Sequence, residues 1–350
     1  MSDLSLRRFR RKPIVLEMTR NPLKGWQLDP ASIRHVGHDL SRPECIVAER
    51  DGSLWAADAR GGVMHIRPDG SQHLVVPATA ANSATPNQLE GSLPNGLAFA
   101  RNGDLLIANL GTDTLDVLTR DGKHRVLCDN IGGKPMGKVN FVLRDSKDRL
   151  WITVSTKLNA WSEAIRNDLT DGYIALIDEN GARIVADGFH FTNEIRFDAK
   201  EEWLYVAETC ARRVTRLRVM PDGSLRDREV YGPSSLGPGL IDGITFDAYG
   251  NLWAAMIFAD RLVAITPDGE LLTLFEDGDR DATARFDAAF DRGGVVPSDV
   301  MAEGGGKIIP WLTSITFGDP GLRTVYLGTL RATTLPCFAS PVAGLPMIHW

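Results

Sequence analysis

The sequence predicts an all-β fold, a six-bladed β-propeller with four-stranded blades. Three observations predict it: a hairpin-like motif that recurs six times, a further apolar run after most copies that ends in its own tight turn, and a spacing of about 45 to 70 residues between copies, which suits one blade per copy. The copies read PECIVAERDGSLWAAD from Pro43, PNGLAFARNGDLLIAN from Pro94, VNFVLRDSKDRLWITV from Val139, TNEIRFDAKEEWLYVAE from Thr192, IDGITFDAYGNLWAAM from Ile241 and TSITFGDPGLRTVYLGT from Thr313.

Within a copy, two apolar runs flank a turn such as Asp51-Gly52, Asn102-Gly103 or Tyr249-Gly250, the pattern of a β-hairpin. The third strands are VMHIRPDG, TLDVLTRDG, YIALIDENG, VTRLRVMPDG and RLVAITPDG, ending at Asp69-Gly70, Asp121-Gly122, Asn180-Gly181, Asp222-Gly223 and Asp268-Gly269. A fourth run, as in HRVLCD or LLTLFE, completes a blade. The sixth copy has little after it, so its outer strand must come from elsewhere. The segment SIRHVGHDL, residues 32–40, carries Ile33, Val36 and Leu40 and is expected to close the ring from the N-terminal side, leaving no open sheet edge. Trp55, Trp151 and Trp253 recur with the repeat and are expected as wedges in the core rather than as a substrate platform.

The chain thus divides into an N-terminal arm, residues 1–30, and one propeller domain, residues 31–350. Three stretches interrupt the repeat and are expected as lids: 77–93, rich in Ala, Asn, Pro and Ser; 156–170, with a short helical stretch WSEAIRNDL; and 277–312, dense in Asp, Gly and Pro. Phe286, Phe290, Ile308, Ile309 and Trp311 favour a packed third lid.

The net charge of −6 argues against a nucleic-acid partner, which requires a basic face. Arg7, Arg8, Arg10, Arg11 and Lys12 form a basic cluster in the arm, read as a solvated tail. No run approaches the ~20 apolar residues that cross a bilayer, so no membrane role is expected. Cys45, Cys128, Cys210 and Cys337 are scattered without a CxxC pair, the usage of free thiols in the cytoplasm. A monomer or small homo-oligomer is expected. There is no G-x-S-x-G, H-E-x-x-H or P-loop.

Aligning the copies on their turns brings one column into register: Glu44, Asn95, Asn140, Asn193, Asp242 and, with a small shift, Ser314. Every member carries oxygen and begins the first strand of its blade, the strand that lines the channel of a propeller. Asn and Asp often begin strands because they tolerate turns, which accounts for one member but not for six in register. Two carboxylates converging in a narrow channel repel each other unless a cation neutralises them. Glu44 and Asp242 supply the charge and Asn140 and Asn193 neutral oxygens, a hard donor set suited to Ca²⁺, Mg²⁺ or Mn²⁺.

These motifs, together with the ending SPVAGLPMIHW, resemble the senescence marker protein/gluconolactonase family, related in fold to diisopropylfluorophosphatase and paraoxonase. The resemblance covers nearly the whole chain from about residue 40. It implies a metal-dependent hydrolase opening lactones or related esters around one divalent ion held by Glu44, Asn140, Asn193 and Asp242, with Ca²⁺ first and Mn²⁺, Mg²⁺ or Zn²⁺ as alternatives. Asp242 would also serve as general base or nucleophile. The family's substrate-binding Arg falls on Lys138, two residues before Asn140 and so expected on the same face of the strand; Lys138 and Asn95 would orient the substrate. His190 is a candidate proton shuttle, and Glu194, commonly Gly in the family, either backs the ligands or faces solvent. A phosphotriesterase-like hydrolase on the same metal, and a non-catalytic binding propeller with a structural metal, are the alternatives.

Overall fold

The computed structural model of the chain describes residues 20–77 and 91–350. Six four-stranded antiparallel sheets are arranged as blades, with innermost strands Ile46–Ala48, Pro94–Phe99, Val139–Arg144, Thr192–Phe197, Leu240–Phe246 and Leu312–Gly318. Each innermost strand packs against those of both neighbouring blades, the sixth against the first, so the ring is closed. The two inner strands of a blade are buried on both faces, which is why they read as near-continuous apolar runs. Outer strands face solvent: Leu225–Tyr231 is mostly exposed.

Trp55, Trp151 and Trp253 wedge the blades and are almost wholly buried. A buried indole needs a partner for its N–H, and the repeat supplies it six residues earlier. Trp55 Nε1 donates to Glu49 at 2.6 Å, Trp151 Nε1 to Asp145 at 2.9 Å and Trp253 Nε1 to Asp247 at 2.9 Å. The second oxygen of each aspartate caps its hairpin turn, Asp145 accepting from the Lys147 and Arg149 amides and Asp247 from those of Tyr249 and Gly250. One acid thus fixes both the turn and the wedge.

The ring closes as expected from residues 32–40, through a short strand Arg34–Val36 that forms the outer edge of the sixth blade. Arg34 pairs with Cys337, His35 with Pro336 and Val36 with Leu335. Residues 20–30, the end of the expected N-terminal arm, lie against the fifth and sixth blades. Asn21 exchanges hydrogen bonds with Asn251, the Leu28 amide donates to Leu274 O at 2.9 Å, and Trp26 lies 6.1 Å from both Trp253 and Phe338. Burial of Leu23 and Leu28 supplies the reason. The basic cluster Arg7–Lys12 lies outside the described residues, as does most of the expected lid at 77–93.

The other two insertions are packed. Residues 156–170 contain a short 3₁₀ turn, Trp161–Ala164. Residues 277–312 contain helices α1 (Arg280–Asp291) and α2 (Ser298–Glu303), α1 being capped by Asp279 accepting from the Ala282 amide. Phe286 and Phe290 of α1 are buried, Phe286 stacking on Phe258 at 4.4 Å. At the opposite end of the channel the C-terminal tail crosses the floor of the ring, the Leu345 amide donating to Phe246 O and His349 Nε2 to Ala48 O, both at 2.9 Å. All four cysteines are unpaired. Among the described residues no helix is long and apolar enough to cross a membrane.

Candidate active site

The site forms where the innermost strands begin, at the end of the channel away from the tail. Pairing between first and second strands is irregular there in five blades: between Pro94 and Leu97, Val139 and Phe141, Thr192 and Ile195, Ile241 and Ile244, and Leu312 and Ile315. Each irregularity brackets a member of the column. A bulge re-aims a side chain that regular alternation would send to the blade interface. The strands also approach closely: a Cβ on Gly96 would lie 2.6 Å from the Phe141 Cα, and one on Gly243 2.4 Å from Thr313 O.

Glu44, Asn95, Asn140, Asn193 and Asp242 meet in one cavity, together with Arg42 and Thr209. Their polar atoms divide into two groups. Asn95 is fully engaged, its oxygen accepting from Arg42 Nη2 at 2.8 Å and its amide donating to Asn140 O at 3.1 Å. Ser314, the sixth member of the column, is also engaged, its hydroxyl donating to Glu44 O at 2.5 Å and so fastening the sixth blade to the first. By contrast Glu44 Oε2, Asn140 Oδ1 and Asn193 Oδ1 are buried without a hydrogen-bond partner. Buried polar atoms in native proteins are almost always partnered, so three orphaned oxygens on one floor fit a cation that accepts all of them. Asp242, nearly buried, adds the second carboxylate.

The electrostatics agree with that fit. Burial pushes the Glu44 carboxyl up to about 8, with Arg42 opposing and Glu194 adding to the rise. Burial raises Asp242 well above the usual carboxylate range, with Glu44 and Glu194 adding to the effect. Burial lowers the Arg42 guanidinium from its ordinary value, while Glu44 and Asp242 pull it back up. Carboxyls raised in this way are brought back to the ionised form by a positive charge placed among them.

Above the floor the lining changes character. Trp161 and Ile165 come from the insertion at 156–170, Trp311 from that at 277–312, and Phe191, Ile257 and Phe258 from the mouths of blades four and five. Buried Asp260 holds Trp311 in place: its carboxylate accepts from the backbone amides of Gly306 at 2.6 Å, Trp311 at 2.8 Å and Leu312 at 2.9 Å. Burial raises Asp260 to about 6 against the pull of these donors.

Three residues singled out in the sequence do not line this cavity. Lys138 is not among the residues lining this cavity; its ammonium sits 2.9 Å from Asp113 Oδ1. The irregular pairing between Val139 and Phe141 removes the two-residue alternation that would place Lys138 beside Asn140. His190 also lies outside the lining, its Nδ1 3.4 Å from Glu208 Oε2. Glu194 does not face solvent. It is buried in the channel, where its Oε2 accepts from the Ile244 amide at 3.2 Å and pairs with Arg196 at 2.8 Å. Burial raises its carboxyl, with Arg196 opposing. Arg42 was not expected in the site, although it stands two residues before Glu44, a spacing that could have drawn attention to it.

Residues 42–284 match the family described as SMP-30/Gluconolactonase/LRE-like region. A pentonolactonase from Haloferax volcanii is 26% identical over 280 residues, covering 80% of this chain and 80% of its own. A 6-deoxy-6-sulfogluconolactonase from Pseudomonas putida is 23% identical over 207 residues, covering 59% of this chain and 58% of its own. The solved structure of regucalcin from Agrobacterium tumefaciens, described as a calcium-binding protein, superposes with a TM-score of 0.62 at 16% identity, over 89% of this chain and 94% of that one.

Proposed function

Because this chain belongs to the SMP-30/gluconolactonase/LRE-like family, we propose that it hydrolyses lactones on the floor of the cavity, Glu44, Asn140, Asn193 and Asp242 holding one divalent cation there. The observation that carries the reading is the set of three orphaned oxygens, Glu44 Oε2, Asn140 Oδ1 and Asn193 Oδ1, in the same cavity as the Asp242 carboxylate. An oxygen-only set with two carboxylates and two neutral amides suits Ca²⁺ first, and Mn²⁺, Mg²⁺ or Zn²⁺ after it. The lactonase relatives and the calcium-binding structural neighbour point the same way. The four unpaired cysteines suit a reducing cytoplasm.

A bound divalent ion supplies Lewis-acid polarisation of an ester carbonyl. The chain's own groups do the rest. Asp242 acts as general base, taking a proton from water as the water oxygen bonds to the carbonyl carbon, or attacks that carbon itself to give an anhydride that water then hydrolyses, freeing Asp242. As the ring C–O bond breaks, the departing ring oxygen takes a proton, the one Asp242 removed from water or, in the nucleophilic route, one from solvent, and becomes the free hydroxyl of the product hydroxy acid. Arg42, held by Asn95, presents a fixed guanidinium to the polar end of the substrate.

The test is acid release from a panel of five- and six-membered lactones, followed with a pH indicator in the presence of Ca²⁺, Mn²⁺, Mg²⁺ or Zn²⁺ in turn. Hydrolysis above background, faster than that of phosphotriesters, is expected with at least one ion. Acid release from no lactone with any of the four ions would contradict the reading.

A further inference from the structure

We infer that the substrate is a lactone bearing an apolar alkyl or aryl substituent, rather than a polyhydroxylated sugar lactone; the inference rests on the lactonase reading for the chemistry but on the cavity wall for the substituent. The cavity is a small cleft of about 50 Å³, partly open to solvent. Its polar groups are confined to the floor. Of those not destined for a cation, Arg42 serves the ester end of the substrate, Asn95 is committed at both ends, and Thr209 Oγ1 accepts from Asn193 Nδ2 at 3.2 Å. A sugar lactone would bring three or more hydroxyls into a volume walled by Trp161, Ile165, Phe191, Ile257, Phe258 and Trp311. Hydroxyls placed against that wall would lose their water partners without gaining matching ones.

The indole at the sixth-blade side of the wall is occupied as well. The indole N–H of Trp311 donates to Gly304 O at 2.8 Å, and the Arg331 guanidinium lies over its ring at 3.7 Å. Lys138, the basic residue best placed in the sequence to serve sugar hydroxyls, is held by Asp113 and does not line the cavity. The wall is also preformed. Phe258 sits between Phe286 at 4.4 Å and Trp311 at 5.2 Å, so the apolar face is backed by a packed cluster rather than free to turn away. An apolar substituent that displaces water from such a wall gains the full benefit of burial.

Two measurements test this, and they separate its failure from failure of the lactonase reading. The first compares kcat/KM for δ-valerolactone, δ-hexalactone, δ-octalactone, δ-decalactone and D-glucono-1,5-lactone. A rise of about three- to four-fold per methylene is expected until the cavity is full, with δ-decalactone well over ten-fold ahead of the gluconolactone. Hydrolysis of the gluconolactone as fast as or faster than the alkyl series would overturn the inference while leaving the lactonase reading intact. The second measures binding of two lactams, which are not hydrolysed, by calorimetry: 6-pentylpiperidin-2-one and gluconolactam. The alkyl lactam should bind and the sugar lactam should not, with Trp161→Ser weakening the former about ten-fold. If no lactone is turned over, this binding still decides: selective binding of the alkyl lactam supports the apolar pocket, and equal or absent binding of the two overturns it.

Discussion

Replacing Asp242 with asparagine is expected to lower lactone turnover by about 10²- to 10⁴-fold, the range lost with a general base, while one divalent ion remains bound at raised metal concentration. The amide keeps an oxygen that can ligate but has no carboxylate to take a proton or to attack. Asp242 is nearly buried at an irregularity of its strand, between Ile241 and Ile244, and the Gly243 backbone beside it approaches Thr313 O too closely for a side chain. The change is isosteric, so the fold should survive it. Turnover should therefore be measured at saturating metal, with metal content determined on the same sample. Near-normal turnover in Asp242→Asn would reduce Asp242 to a ligand and place the base elsewhere.

The largest effect on the fold is expected from deleting residues 1–41. This removes the strand Arg34–Val36 from the sixth blade and exposes the hydrogen-bonding edge of Leu335–Ala339. It also strips away buried Leu23, Leu28 and Leu40 and the ring of Trp26 that packs on Trp253 and Phe338. Each buried leucine stabilises by roughly 1.5–3 kcal/mol, so their sum is comparable with the ~5–15 kcal/mol that holds a typical domain. Aggregation, or loss of a cooperative melt, is expected by size-exclusion chromatography and calorimetry. A chain shortened by residues 1–19 keeps every contact just named and is the control. A monomeric, cooperatively melting protein lacking residues 1–41 would contradict ring closure.

The blades were legible because each repeats a local pattern, two apolar runs around a turn, that needs no knowledge of distant contacts. The column was legible for the same reason: its members recur seven residues before a turn. What the pattern hides is where a side chain points once pairing becomes irregular. Strict alternation puts Lys138 beside Asn140, but the break between Val139 and Phe141 removes that relation, and Asp113, on the preceding blade, takes the ammonium. Glu194 shows the same limit. It directly follows Asn193, yet the irregularity between Thr192 and Ile195 leaves both side chains buried in the channel, with Arg196 pairing the acid. Residues 21–28 carried no repeat signal, because their partners Trp253, Leu274 and Phe338 lie more than 200 residues along the chain. The apolar wall arises from insertions, which by nature lie outside the repeat.

Calorimetric titration of Ca²⁺ into chelator-treated protein, repeated with Glu44→Ala and Asn193→Ala, probes the cation site directly. One ion per chain should bind the unaltered protein, and both substitutions should weaken binding strongly while leaving the melting transition cooperative. Binding of no ion by the unaltered protein, or full occupancy in both variants, would contradict a cation held by Glu44, Asn140, Asn193 and Asp242.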